Sequence, residues 1–292
     1  MRRDVLIPAP LLVLAAVFSV QLGATLAAML IPRIGAGGSV LLRLGLSAAL
    51  MLVVARPALR GHTRAAWRTV LAFGFTLGLM NFLFYSSLRY LPLGVAVTIE
   101  FIGPLTLAAI LSRRLGDALA VAAAGGGVVL VSRAFEVPLA ELSWIGLGLG
   151  LATGACWAAY IVLSRRTGQE FRSVHGLTLA LCIATVVIAP VGVPSVPSWT
   201  GADLLTGLGV AILSSVLPYS LELIALRRLT EHVFGILLSL EPAVGALAGR
   251  VVLGQRLSTQ QIVGIALVVV ASVLVLGVGA RRPLDPAAAT GD

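Results

Sequence analysis

Lysine is absent from this chain of 292 residues, and all 21 of its basic residues are arginine. Acidic residues number only 12, and charged residues together make up 11%. Two cysteines, Cys156 and Cys182, lie in separate apolar runs, which argues against a disulfide and excludes a CxxC metal pair. The three histidines, His62, His175 and His232, stand in or beside expected loops without metal-ligand spacing. There is no Walker loop, no HExxH, no Ser/His/Asp grouping and no pair of catalytic aspartates. ATP-driven pumping by this chain alone is excluded on that basis, and neither a metal, a cofactor nor a catalytic residue is expected.

Apolar sequence is what the chain has in abundance. Hydrophobic residues make up 59%, and mean hydropathy is +1.04. A membrane-spanning helix needs about 20 mostly apolar residues. With glycine, proline and arginine as punctuation, spans are expected near 8–31, 38–55, 69–88, 92–112, 116–133, 143–163, 174–193, 204–226, 231–252 and 260–279. They fill the chain and leave no room for a folded domain outside the membrane. The opening Met1-Arg2-Arg3-Asp4 imitates a signal peptide, but the apolar run continues to about Ile31, too long for a secretory core, and reads as the first span. Residues 281–292 read as a disordered tail.

Arginine placement orients the bundle. With the N-terminus in the cytoplasm, fifteen arginines fall on the cytoplasmic side, including the runs at Arg2, Arg56, Arg113, Arg165, Arg227 and Arg281. Five (Arg33, Arg89, Arg133, Arg250 and Arg256) fall outside. Positive charge is retained on the inside, so both termini are expected in the cytoplasm, with an even number of spans. The net charge of +9 is then orienting loop charge and not a nucleic-acid surface, which would need a soluble basic face.

The two halves resemble each other. Gly23-Ala-Thr-Leu-Ala-Ala-Met-Leu in the first span recurs as Gly154-Ala-Cys-Trp-Ala-Ala-Tyr-Ile in the sixth. Ser87-Leu-Arg-Tyr-Leu-Pro, leading to Pro104, parallels Ala225-Leu-Arg-Arg-Leu-Thr, leading to Pro242, at an offset of 138. A repeat displaced by five spans is inverted in the membrane, a recurrent design of secondary transporters with a site between the repeats. Residues 1–134 and 143–280 are the expected repeats.

Ionisable groups at bilayer depth are expensive and tend to mark a pathway. Glu100 and Glu241 lie near the centres of the fourth and ninth spans, where a carboxyl group serves substrate-amine binding, proton coupling or a structural hydrogen bond. Glu222 is near enough to Arg227 that snorkelling to the inner interface is an alternative. Arg43, near the outer end of the second span, is read first as snorkelling or as a structural ion pair, and second as a carboxylate anchor. Pro104 and Pro242 deprive Glu100 and Leu238 of their helical partners, and Pro218 kinks the eighth span. Asn81 with Tyr85, Trp157 with Tyr160, and Tyr219 with Glu222 each share a helix face. Together they suit a cavity for a small zwitterion: a carboxylate for its amine, amide and hydroxyl groups for its polar end, rings for shape. Glycines four apart, as at Gly146, Gly150 and Gly154, are helix-packing seams.

Met80-Asn-Phe-Leu-Phe-Tyr, the stretch Pro92 to Leu105, Gly154-Ala-Cys-Trp-Ala-Ala-Tyr-Ile, Leu217-Pro-Tyr-Ser-Leu-Glu and Ser239-Leu-Glu-Pro-Ala resemble EamA-type members of the drug/metabolite transporter superfamily, in particular the threonine/homoserine-exporter (RhtA) type. The resemblance covers essentially all of 8–279. It implies an all-α polytopic membrane protein of ten transmembrane helices, two inverted five-helix repeats around a central cavity. It also implies export of small metabolites across the inner membrane. Glu100, Tyr219, Glu222 and Glu241 carry across as motif matches. The expected function is a secondary exporter of small amino acids, proton-coupled or running down the substrate gradient, with lipid and a zwitterion as partners. A broader metabolite or drug exporter is the alternative. An intramembrane enzyme lacks a convergent nucleophile and base, and a sensor lacks an output module.

Overall fold

The computed structural model describes residues 7–112, 114–138, 142–253 and 257–279, and no strand occurs among them. The expected disordered tail, 281–292, lies outside the described residues. Eleven α-helices follow one another among the described residues: α1 Ala9–Ala55, α2 Arg64–Ser87, α3 Leu93–Leu111, α4 Leu115–Val131, α5 Trp144–Glu170, α6 His175–Gly192, α7 Gly201–Ala211, α8 Leu217–Leu226, α9 Glu231–Leu238, α10 Leu240–Leu253 and α11 Thr259–Gly279. Among the described residues, eight helical stretches are long and apolar enough to cross a membrane, and α4 is a shorter apolar helix. Leu11, Phe18, Val54, Ile110, Val186 and Val273 point outward, exposed. An apolar surface of that extent is stable against lipid and not against water.

Polar side chains start several helices where the sequence turns. Thr63 accepts from the Ala66 N–H at 3.1 Å. Thr200 and Asp203 cap each other's backbone in a reciprocal box at the start of α7. Thr230 accepts from the Val233 N–H at 3.4 Å.

The first helix is not one rod. Gly35 has φ 72° and ψ 168°, a conformation open to glycine and hostile to L side chains. Ser19 donates to the Leu213 carbonyl at 2.6 Å, and Ser47 to the Ala211 carbonyl at 3.2 Å. In a straight helix these two serines would stand about 42 Å apart. Their partners are two residues apart, so the chain doubles back at Gly35. Sequence punctuation placed a loop over 32–37; the structure needs only Gly35, because one residue with positive φ reverses the chain after Pro32.

Helices α7 and α8 form one bent span. Between them, Ile212–Val216 widens into a π turn in which the Leu217 N–H reaches back to the Ile212 carbonyl. The next donor in that pattern would be residue 218, a proline without an N–H. Leu213 thereby loses its helical partner, and the Ser19 hydroxyl takes the orphaned carbonyl. This contact across the bundle fixes where Tyr219 and Glu222 point.

Close backbone contact sets the remaining neighbours. A Cβ on Gly103 of α3 would lie 1.9 Å from the Gly154 carbonyl oxygen of α5. Gly127 of α4 and Gly264 of α11 meet in the same way, a Cβ on either falling 2.8 Å from the other's carbonyl oxygen.

Candidate functional site

Polar side chains from both halves converge inside the bundle. From the second limb of α1, Arg43 donates through Nη2 to the Oδ1 of Asn81 on α2. Asn81 is buried, and its Nδ2 donates to the Leu77 carbonyl at 2.8 Å, which fixes the amide so that its oxygen faces the guanidinium. Tyr219 of α8 lies within reach of the Asn81 amide and within electrostatic range of Arg43, Glu222 and Tyr85. One helical turn on, the Glu222 carboxyl accepts from the Tyr160 hydroxyl of α5 at 2.7 Å. The two tyrosine rings stand 5.7 Å apart, and Phe73 backs Tyr160 at 5.5 Å.

A carboxyl series continues from there. Glu241, in the first turn of α10, is within electrostatic range of Glu222 and of Glu100 on α3. Gln21 of α1 donates to the Glu241 carbonyl at 3.2 Å, tying α10 to the first limb. Pro104 is buried within α3, and its carbonyl faces Gly235 of α9. Pro242 follows directly on Glu241, just past the break between α9 and α10 at Ser239.

The structure thus gathers Arg43, Asn81, Tyr219, Tyr160 and Glu222, with Glu241 in electrostatic range of Glu222 and Glu100 in range of Glu241. Trp157 turns aside: its ring packs edge-on against Phe101 at 4.7 Å, interplanar angle 64°. Tyr85 lies outward of Asn81, where a cavity of about 130 Å³ is lined by Gly37, Val40, Asn81, Tyr85, Arg89 and Val191. A second groove of about 290 Å³, between α3 and α5, is lined by Ile102, Ile110, Leu151 and similar residues with no titratable group among them. Its walls face the lipid side, and it holds none of the expected site residues.

Two readings of the sequence are corrected. Glu222 does not snorkel toward Arg227; it is 5% exposed and committed to Tyr160. Arg227 instead donates to the Gly168 carbonyl at 2.7 Å, the Phe171 carbonyl at 3.0 Å and the Ser173 carbonyl. Nor is Arg43 part of an ion pair among the described residues; its partner is an amide. Sequence reasoning missed the two ends of the bundle. At one end Arg165 of α5 pairs with Glu231 of α9, and at the other Arg33 approaches Asp203 at 3.3 Å. Only the presence of single charges at helix ends signalled them.

A lipid-facing helical bundle with polar groups gathered at its centre defines a multi-pass transporter of the inner membrane. The chain belongs to the EamA-like transporter family, among its RhtA-like members. Residues 144–277 match that family. Over 271 residues the chain is 38% identical to the threonine/homoserine exporter RhtA of Salmonella typhimurium strain SL1344, covering 90% of this chain and 89% of that one. The Escherichia coli K12 exporter of the same name is 38% identical over 267 residues, covering 89% and 88%. A crystal structure at 18% identity superposes with a TM-score of 0.74 over 94% of this chain and 98% of the other, a likeness of fold.

Proposed function

We propose that this chain is a secondary exporter of small amino acids, threonine and homoserine first, working by alternating access. The observation that carries the reading is the central polar series. Arg43, Asn81 and Glu100 come from the first half of the chain, and Tyr160, Tyr219, Glu222 and Glu241 from the second. A site assembled from both halves opens to one side or the other as the halves move, and a ligand biases the two states by its difference in affinity for them. The relatives' names give the substrate class.

In this reading the bundle has ten spans with both termini in the cytoplasm. The limbs of α1 are the first two, α7 with α8 the eighth, and α9 with α10 the ninth. Two inverted five-span repeats explain why contacts recur in exchanged form. Gly127 meets Gly264, the fifth span against the tenth. Gly103 meets Gly154, the fourth against the sixth, while Gly245 meets Gln21, the ninth against the first. Gly74 meets Ile183, the third against the seventh, while Gly207 meets Leu42, the eighth against the second.

The test is efflux of labelled homoserine and threonine from exporter-deficient bacterial cells, with and without a proton uncoupler, controlled for general loss of energy. Faster efflux that the uncoupler stops supports proton-driven export. Efflux unaffected by the uncoupler leaves facilitated exit. Efflux no faster than the empty vector, with the protein confirmed in the membrane, rejects these substrates in favour of a broader metabolite exporter.

A further inference from the structure

Among the described residues, the charges of the central series form no ion pair with each other. The Glu222 carboxyl is taken by the Tyr160 hydroxyl, and Glu241 is in electrostatic range of Glu222 and Glu100. Arg43, the cation of the central series, has no carboxylate within 4.0 Å among the described residues. A guanidinium offers five N–H donors in a planar fork. Here Nη2 is used by Asn81, while Nε is enclosed and has no partner among the described residues. An arginine held inside an apolar bundle by one amide is under-compensated, and a planar anion is what its fork fits.

Access and placement agree. The cavity of about 130 Å³ reaches Val40, one turn from Arg43, and Asn81, its partner. It runs along Asn81, Tyr85 and Arg89, which lie on one face of α2 and its C-terminal extension at four-residue spacing. Tyr219, in reach of the Asn81 amide, is in electrostatic range of both Arg43 and Glu222, so the site carries a positive and a negative group near one ring. That polarity matches a zwitterion, whose ammonium faces the carboxyl groups.

We propose that Arg43 is the receptor for the α-carboxylate of the exported compound, with its guanidinium aimed by Asn81, so that a free carboxylate is a condition of transport. The inference rests on the amino-acid-exporter reading above. The test uses the purified full chain in proteoliposomes, with uptake of labelled L-threonine competed by unlabelled L-threonine or by L-threoninol, in which a hydroxymethyl group replaces the carboxylate. In the wild type, threoninol competes roughly 30-fold or more weakly, the loss expected when one partner of an enclosed charge pair is removed. Arg43→Gln weakens threonine by a similar factor and leaves threoninol unchanged, so that the ratio between them falls toward one; Arg43→Lys retains part of it. Threoninol competing as well as threonine on the wild type overturns the proposal, and that arm needs no variant to fold. If the wild type carries neither threonine nor homoserine, the substrate reading fails separately. Thermal stabilisation of the wild type by the L-amino acids and their amino alcohols then decides: acids stabilising where alcohols do not supports Arg43 as receptor, and equal or no stabilisation overturns it.

Discussion

Gly103→Ala puts a methyl group where the structure has a backbone carbonyl. The added Cβ would sit 1.9 Å from the Gly154 oxygen and 2.3 Å from its carbonyl carbon, whereas ordinary contact begins at 3.4 Å. Nothing nearby is a flexible side-chain tip, so α3 and α5 must separate by about an ångström or more, or tilt. Overpacking of this kind costs about 1–3 kcal/mol, against which the better helix propensity of alanine returns under about 1 kcal/mol. Gly148 on α5 is the control, because a Cβ there meets nothing within 4 Å. Gly148→Ala is expected to be neutral or slightly stabilising. The assay is thermal unfolding of the detergent-solubilised protein, read by size-exclusion chromatography after heating. At roughly 2–4 °C per kcal/mol for a chain near this size, Gly103→Ala should melt several degrees below wild type and Gly148→Ala at or above it. Because the same seam presses the Glu100 backbone against Gly154 of α5, transport by Gly103→Ala should fall even below its melting range. Equal melting of the two variants would refute the close α3–α5 approach.

Other substitutions probe the polar centre and the bundle ends. Tyr160→Phe removes the donor to Glu222, and the loss of an enclosed hydrogen bond to a carboxyl group should cost about 1.5–3 kcal/mol, visible as a lower melting temperature; an unchanged one rejects the contact. Ser19→Ala leaves the Leu213 carbonyl without a partner beside Pro218 and should destabilise by about 1–3 kcal/mol, where Ser198→Ala, on an exposed residue, should not. Reversing the partly exposed Arg165–Glu231 pair one residue at a time should reduce efflux, and the double reversal Arg165→Glu with Glu231→Arg should restore part of it; no recovery means the pair is not coupled. Glu100→Gln and Glu241→Gln should abolish threonine efflux at unchanged membrane abundance, and retained efflux rejects a role for those carboxyl groups in transport.

Hydropathy made the helical architecture readable because lipid demands it. A backbone in hydrocarbon must satisfy its own hydrogen bonds, so each apolar run has one structural solution. The places where runs end are less readable. Pro32, Gly35 and Gly37 all read as loop, yet Gly37 lies within the helix, where it lets Val191 approach, as Gly38 at the expected start of the second span does for Ser195. Pro218 signalled a distortion of the eighth span. The form of that distortion depends on Ser19, 194 residues earlier, which no local pattern contains.

The same division runs through the polar centre. Spacing along one helix placed Tyr219 and Glu222 on a common face, since the helical period settles it, and both are buried in the structure. Spacing alone also grouped Trp157 with Tyr160, but a shared face three residues wide spans two neighbours: Trp157 meets Phe101 of α3, while Tyr160 meets Phe73 of α2 and Glu222 of α8. Which helices flank a face is decided by where glycines permit close approach, and Gly154, next to that face, draws α3 in. Arg43 is the extreme case. Its sequence surroundings are those of an arginine near a span end, which would ordinarily reach for the interface. It turns inward because α2 presents a buried amide whose nitrogen end is already committed to the Leu77 carbonyl, which leaves the oxygen facing the guanidinium. An inward charge is therefore a property of the packed pair of helices, and substitution of Asn81 by leucine should release Arg43 from it, lowering melting temperature and threonine affinity together.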